Sequence, residues 1–143
     1  MLDDVYNRKI LELAANIPHI GRLPAPQASA SAHSRLCGSS VAIDLCLADG
    51  HVSDFAQDVK ACALGQAACS AMGRNIIGAS AAELREIRDS MRKMLKEQGP
   101  PPQGRFADAG LLEAARDYKA RHASILLVFD AVVEALGRIE AGQ

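Results

Sequence analysis

The chain has 143 residues, 49% of them hydrophobic, which suits one domain around a single packed core and is too short for two. Aromatics make up only 3% and there is no Trp; much of the apolar share is Ala, so helices can approach closely but few large side chains remain to line an organic-ligand pocket. A formal net charge of -1, with no basic stripe interleaved with aromatics, excludes a generic nucleic-acid binder.

The acidic start, Met1 to Tyr6, lacks the charged-then-apolar layout of a signal peptide. From about Asp4 to Ile17, Val5, Ile10, Leu13, Ala14 and Ile17 recur at roughly helical spacing, and Pro18 and Gly21 close that helix. Pro24 to Ser31 is rich in Pro, Ala and Ser and reads as an extended linker or irregular edge segment. The period then changes: Val41, Ile43, Leu45 and Leu47 alternate with Ala42, Asp44, Cys46 and Ala48, which predicts a half-buried strand. Asp49-Gly50 is a short-hairpin turn signal, and the partner strand runs from about His51 to Ala61, with Val52, Phe55 and Val59 as imperfectly alternating apolar positions.

After Cys62 the chain turns helical, from Ala63 to about Ile77, and Gly78 ends that element. Ser80 with Glu83 reads as a capping box opening a helix through about Glu97, stopped by Gly99-Pro100-Pro101-Pro102. A short helix is expected over Ala109 to Tyr118 and a last one from about His122 to Glu140. Its apolar run, Ile125 to Phe129, falls far short of the ~20 residues that span a bilayer. No internal repeat is visible. Helix, strands, then helices argue for a single α+β domain over residues 1–143, about three antiparallel strands covered by helices on one side, soluble and cytoplasmic.

Four cysteines without dense spacing or an export signal read as free thiols or metal ligands rather than a disulfide framework, and the lack of a CxxC pair rules out a zinc ribbon. Cys37 precedes Gly38 just before the first predicted strand, where glycine lets another group approach. Cys62 falls where strand gives way to helix, and N–H groups at a helix N-terminus favour a thiolate. His122 opens the last helix behind Lys119 and Arg121. All three therefore sit at element ends, where side chains can converge. Each has a plain alternative: a lone Cys is usually a small buried hydrophobe, and a lone His near a helix end usually caps it or faces solvent.

Cys46, opposite the apolar stripe of its strand, reads as structural, and His19, His33 and His51 have no ligand-like context. Cys69 lies seven residues beyond Cys62, roughly 10 Å along a regular helix, too far for a disulfide or one shared zinc, so it reads as packing. Arg85, Arg88, Arg92 and Lys96 share a helical face beside Lys93, either a solvated face or a docking surface for an acidic partner.

Taken in order, Tyr6 to Gly21, Leu36-Cys37-Gly38-Ser39, Lys60-Ala61-Cys62-Ala63 and Lys119-Ala120-Arg121-His122-Ala123-Ser124 resemble the motifs of the IscU/NifU N-terminal family of iron–sulfur cluster scaffolds. The likeness covers most of the chain. It departs at Ser39, where the family has an aspartate, and at Ala123, where it has a third cysteine.

The resemblance implies a non-enzymatic scaffold that assembles a transient [2Fe-2S] cluster with a cysteine desulfurase and passes it to acceptor proteins. Cys37, Cys62 and His122 would be its metal ligands, and a homo-oligomer is compatible with this. The alternative is a degenerate relative that holds zinc, or no metal, and serves as a sulfur acceptor or interaction module for the desulfurase. An enzyme built on three-ligand zinc or on a Cys62–His122 pair ranks last, because nothing marks an orienting third group.

Overall fold

A computed structural model describes residues 6–36 and 38–142. Among them the chain order is α1 (Arg8–Ala15), β1 (Ala28–His33), β2 (Ser40–Ala48), β3 (His51–Lys60), α2 (Ala63–Asn75), α3 (Ala81–Lys96), a 3₁₀ segment (Gly104–Ala115) and α4 (Lys119–Glu140). The strands form one antiparallel sheet in the order β1-β2-β3, so the α+β expectation holds. None of the described helices is long and apolar enough to cross a membrane.

The hairpin follows from Asp49 and Gly50, whose φ values of 53° and 78° are those of a type I′ turn matched to strand twist. Val41, Ile43 and Leu45 of β2 face the core opposite Val59, Gln57 and Phe55 of β3. Val52 also points inward although it lies three residues from Phe55, because the register shifts between Cys46 and Leu47. A bulge of this kind absorbs one residue, which explains the imperfect alternation read from the sequence. The third strand is β1, which begins inside the segment read as a linker or edge and runs two residues past it. Its Ala28 and Ala30 are buried against Leu45 and Ile43.

Helix α2 is buried over almost its whole surface, as its Ala-rich, all-round apolar character demands. It packs between α1, α4 and the 3₁₀ segment. Two glycines on it mark close approaches: a Cβ on Gly73 would lie 2.7 Å from Gln57 Nε2, and one on Gly65 2.5 Å from Ser124 Oγ. Helix α3 opens on the expected capping box, with Ser80 Oγ accepting from Glu83 N and Glu83 Oε1 accepting from Ser80 N.

Two boundaries differ from expectation. The helix anticipated over Ala109 to Tyr118 is the 3₁₀ segment, shifted earlier and kinked at Phe106. The last helix starts at Lys119, so His122 lies within its first turn rather than at its head. For α1, Asp4 and Val5 fall outside the described residues; its observed start is fixed by Asn7, whose side chain accepts from Ile10 N.

Candidate functional site

Three chain segments meet at the upper end of α2. Cys62 is its N-cap residue, in extended backbone (φ -68°, ψ 171°), with no hydrogen bond from its side chain to the helix. Its Sγ instead lies 3.4 Å from Ser124 Oγ on the second turn of α4. Ser124 Oγ in turn lies 3.0 Å from Ser39 Oγ, just ahead of β2. Both hydroxyls are almost wholly buried, Ser124 1% and Ser39 2% exposed. Gly65 makes the meeting possible, because any side chain there would occupy the space of the Ser124 hydroxyl.

Cys37 lies outside the described residues. Around it the β1–β2 connection is closed by Ser34 N donating to Ser39 O at 2.8 Å and Gly38 N donating to Ser34 O at 2.9 Å. Gly38 has φ 69°, a left-handed conformation that glycine adopts without strain. Leu36, in the same connection, is 77% exposed.

His122 is buried, and its Nε2 lies 2.8 Å from the carbonyl oxygen of Arg116. A carbonyl can only accept, so Nε2 carries the hydrogen and the lone pair of a neutral ring sits on Nδ1. An imidazole ligand is usually held this way, one nitrogen donating to a backbone carbonyl and the other left for metal. The Arg116 guanidinium is anchored on the carbonyls of Met94 and Gly99 at the end of α3 and on Glu113, so that carbonyl is rigidly placed. His122 and Ser124 are two apart on a helix and leave it in different directions. The contact to Cys62 therefore belongs to Ser124. Among the described residues no three His, Cys, Asp or Glu side chains are grouped to hold a metal ion.

Ala123 points elsewhere, into a groove of about 390 Å³ lined with His33, Arg92, Lys96, Leu126, Leu127 and Asp130. The basic face of α3 is partly spoken for: Arg85 pairs with Glu140, Arg92 with Asp130 at 3.2 Å, and Arg88 with its neighbour Asp89 at 2.8 Å. Cys69 is 1% exposed, and burial pushes its thiol up to about 12, which fits a packing role. Cys46 is half-buried with only a 3.7 Å contact to the Ala25 carbonyl.

Sequence reasoning did not foresee the bond between Ser39 and Ser124, nor the Gly65 contact or the part of Arg116. Gly65, a helix-interior glycine two residues after the helix start, was the available signal for a close approach. Asp44 was also missed. It points away from the core face yet is 1% exposed, gripped by Arg22 through two 2.8 Å hydrogen bonds and by Ser29 and the Leu23 amide.

The description "NifU-like N terminal domain" belongs to the family model that matches residues 5–124. Among solved structures, a nitrogen-fixing NifU-like protein (N-terminal) from Brucella abortus is 58% identical, with 99% of each chain covered and a TM-score of 0.97. A protein from the thermophile Fervidobacterium islandicum AW-1, described as an iron–sulfur cluster assembly scaffold for the SUF system, shares the fold at 18% identity. There 94% of this chain and 98% of that one are covered, with a TM-score of 0.82. A hypothetical protein shares the fold likewise, at 23% identity and a TM-score of 0.84 over 95% of this chain and 99% of its own. No curated protein matches the chain.

Proposed function

The chain belongs to the family of NifU-like N-terminal domains, and from that premise we propose that it is an iron–sulfur cluster assembly scaffold. It receives iron and sulfur at Cys37, Cys62 and His122, holds a nascent [2Fe-2S] cluster and hands it to acceptor proteins. The observation that supports this reading is the tie Cys62–Ser124–Ser39, which links the head of α2, the start of α4 and the residue just ahead of β2. The orientation of His122 supports it as well: Nε2–H is spent on the Arg116 carbonyl, leaving Nδ1 as the donor atom.

The cluster is cargo, and the chain supplies two thiolates and an imidazole where four protein ligands, typically thiolates, are usual. Cys69 does not complete the set, since its thiol is buried and held protonated to about pH 12. The fourth ligand comes from outside the domain, from a second copy, a small thiol or the partner protein. Sulfur arrives from a cysteine desulfurase, and the protein itself performs no turnover.

One observation favours a second reading. Ala123 offers no donor atom and faces a groove, while Ser39 is engaged with Ser124, so three protein ligands plus water would suit zinc. Iron and acid-labile sulfide, measured on anaerobically purified protein before and after incubation with iron, cysteine and a desulfurase, decide between them. Stoichiometric iron and sulfide, lost in Cys37→Ala and Cys62→Ala, is the expected result. Zinc alone, or no metal under any condition, would mark a relative that kept the fold without cluster assembly.

A further inference from the structure

Ser124 makes the one side-chain contact that Cys62 has with a polar neighbour among the described residues, and it makes it from a site closed to water. A buried hydroxyl flanked by a thiol and a second hydroxyl is a two-way device. It can accept from one neighbour while donating to the other, and hydroxyl hydrogens rotate to suit. With hydrogen on the Cys62 sulfur, S–H donates to Ser124 Oγ and Ser124 donates onward to Ser39 Oγ, the direction found here.

The geometry points to Ser124 as a positioning residue for the Cys62 sulfur. Once that sulfur holds a metal ion or a second sulfur atom and no longer carries hydrogen, the Ser124 hydroxyl turns to donate to it, a contact in which either atom can be the donor. This rests on the scaffold reading for its purpose, but not for its geometry.

Three features support the assignment. The sulfur–oxygen separation of 3.4 Å is within hydrogen-bond range for sulfur. No water competes at the two hydroxyls, since both are buried, while Cys62 itself is half-buried and open to a reagent. Gly65 holds the space for the Ser124 hydroxyl open, with a hypothetical Cβ only 2.5 Å from it.

The test compares wild type with Ser124→Ala, Ser124→Thr and Ser39→Ala, each checked for folding by circular dichroism. Alkylation of Cys62 is followed by peptide-resolved mass spectrometry, with iodoacetamide and with a bulkier maleimide, at a pH where the rate no longer rises. A thiolate that has lost its hydrogen bond is a stronger nucleophile. Ser124→Ala is therefore expected to react about fivefold faster with both reagents, the factor equivalent to a hydrogen bond of roughly 1 kcal/mol. Ser124→Thr keeps the wild-type rate, and so does Ser39→Ala, because Ser124 keeps its hydrogen for the sulfur.

Unchanged rates in Ser124→Ala, or a gain confined to the bulky reagent and so due to opened access, would overturn the assignment. A second readout uses cobalt(II). The sulfur-to-cobalt charge-transfer band moves to lower energy in Ser124→Ala and stays put in Ser124→Thr; a band unmoved in both overturns the assignment too. A protein that binds no cobalt or iron counts against the scaffold reading alone, because the alkylation rates still decide the role of Ser124.

Discussion

Two cysteines of this chain differ in what surrounds their sulfur rather than in their sequence neighbours, since both sit among alanines. Cys62 meets a hydroxyl at a helix end, whereas Cys69 about two turns on is enclosed in the core and held by burial as a thiol to about pH 12. Cys69→Ala is therefore expected to leave metal content unchanged and to lower stability by roughly 1 kcal/mol, the cost of one small void. Metal analysis alongside urea denaturation checks both halves; a loss of metal matching that of Cys62→Ala would contradict the separation of roles.

Asp44 makes the corresponding case for charge. The Arg22 guanidinium and the Ser29 and Leu23 donors hold its carboxyl down to about 2, below the ~3.9 of an unfolded chain. Its contribution, about 2 kcal/mol, is complete above pH 4 or so and is lost as pH falls from there towards 2. Denaturant midpoints measured between pH 7 and 2.5 should fall across that window in wild type and fall less steeply in Asp44→Asn.

At the scale of elements, competing terms can be weighed at Gly65. Alanine there would gain about 1 kcal/mol of helix propensity. It would also place a Cβ 2.5 Å from Ser124 Oγ and 2.8 Å from Ala61 Cβ, and overpacking of that kind costs ~1–3 kcal/mol. Gly65→Ala should therefore be net destabilising, with a lower urea midpoint, and should alter Cys62 alkylation because α2 and α4 are wedged apart at the site. Ser80→Ala, far from it, removes one half of the capping box and should cost about 1 kcal/mol without touching metal binding.

The elements divide by how their sequence advertises them. The hairpin was legible because Asp49-Gly50 and the period-two stripe of β2 are local signals, and so was α3 because its cap is written within four residues. β1 was legible only as an extended edge segment, since Ala and Ser have little strand preference and its burial depends on β2 lying beside it. The 3₁₀ segment was misplaced because its i, i+3 contacts, and the kink at Phe106, leave no clean 3.6-residue stripe.

Over the whole molecule, the places of Cys62 at the head of α2 and of His122 near the start of α4 were legible, and the wiring around them was not. Cys62 could be placed because the hairpin fixes where β3 ends and the helix begins. The Ser39–Ser124 bond joins residues 85 apart in sequence, and no local pattern announces such a pair. Because the segments that carry the site also close the one core, ligand binding and folding are coupled. Saturation with metal at about a hundred times its Kd should raise the unfolding free energy by roughly 2.7 kcal/mol in wild type and leave Cys62→Ala unmoved, as thermal melts with and without metal will show.

The sheet has two sides, and they are finished differently. The far side of β3 is occupied by the bridges from Ile20 and Ser80, with Gly21, Gly78 and Ala79 completing the backbone bonds. Among the described residues β1 has a strand neighbour on one flank only, and Arg138 of α4 reaches over to donate to its Ser29 carbonyl. An unfinished strand is the usual seed of fibrous aggregation, and proteins that leave one keep it short and poor in sticky side chains. Six residues of Ala, Ser and His, with a guanidinium laid against the backbone, meet that description. The same plainness that leaves β1 faint in the sequence makes it a poor template for another chain to grow on.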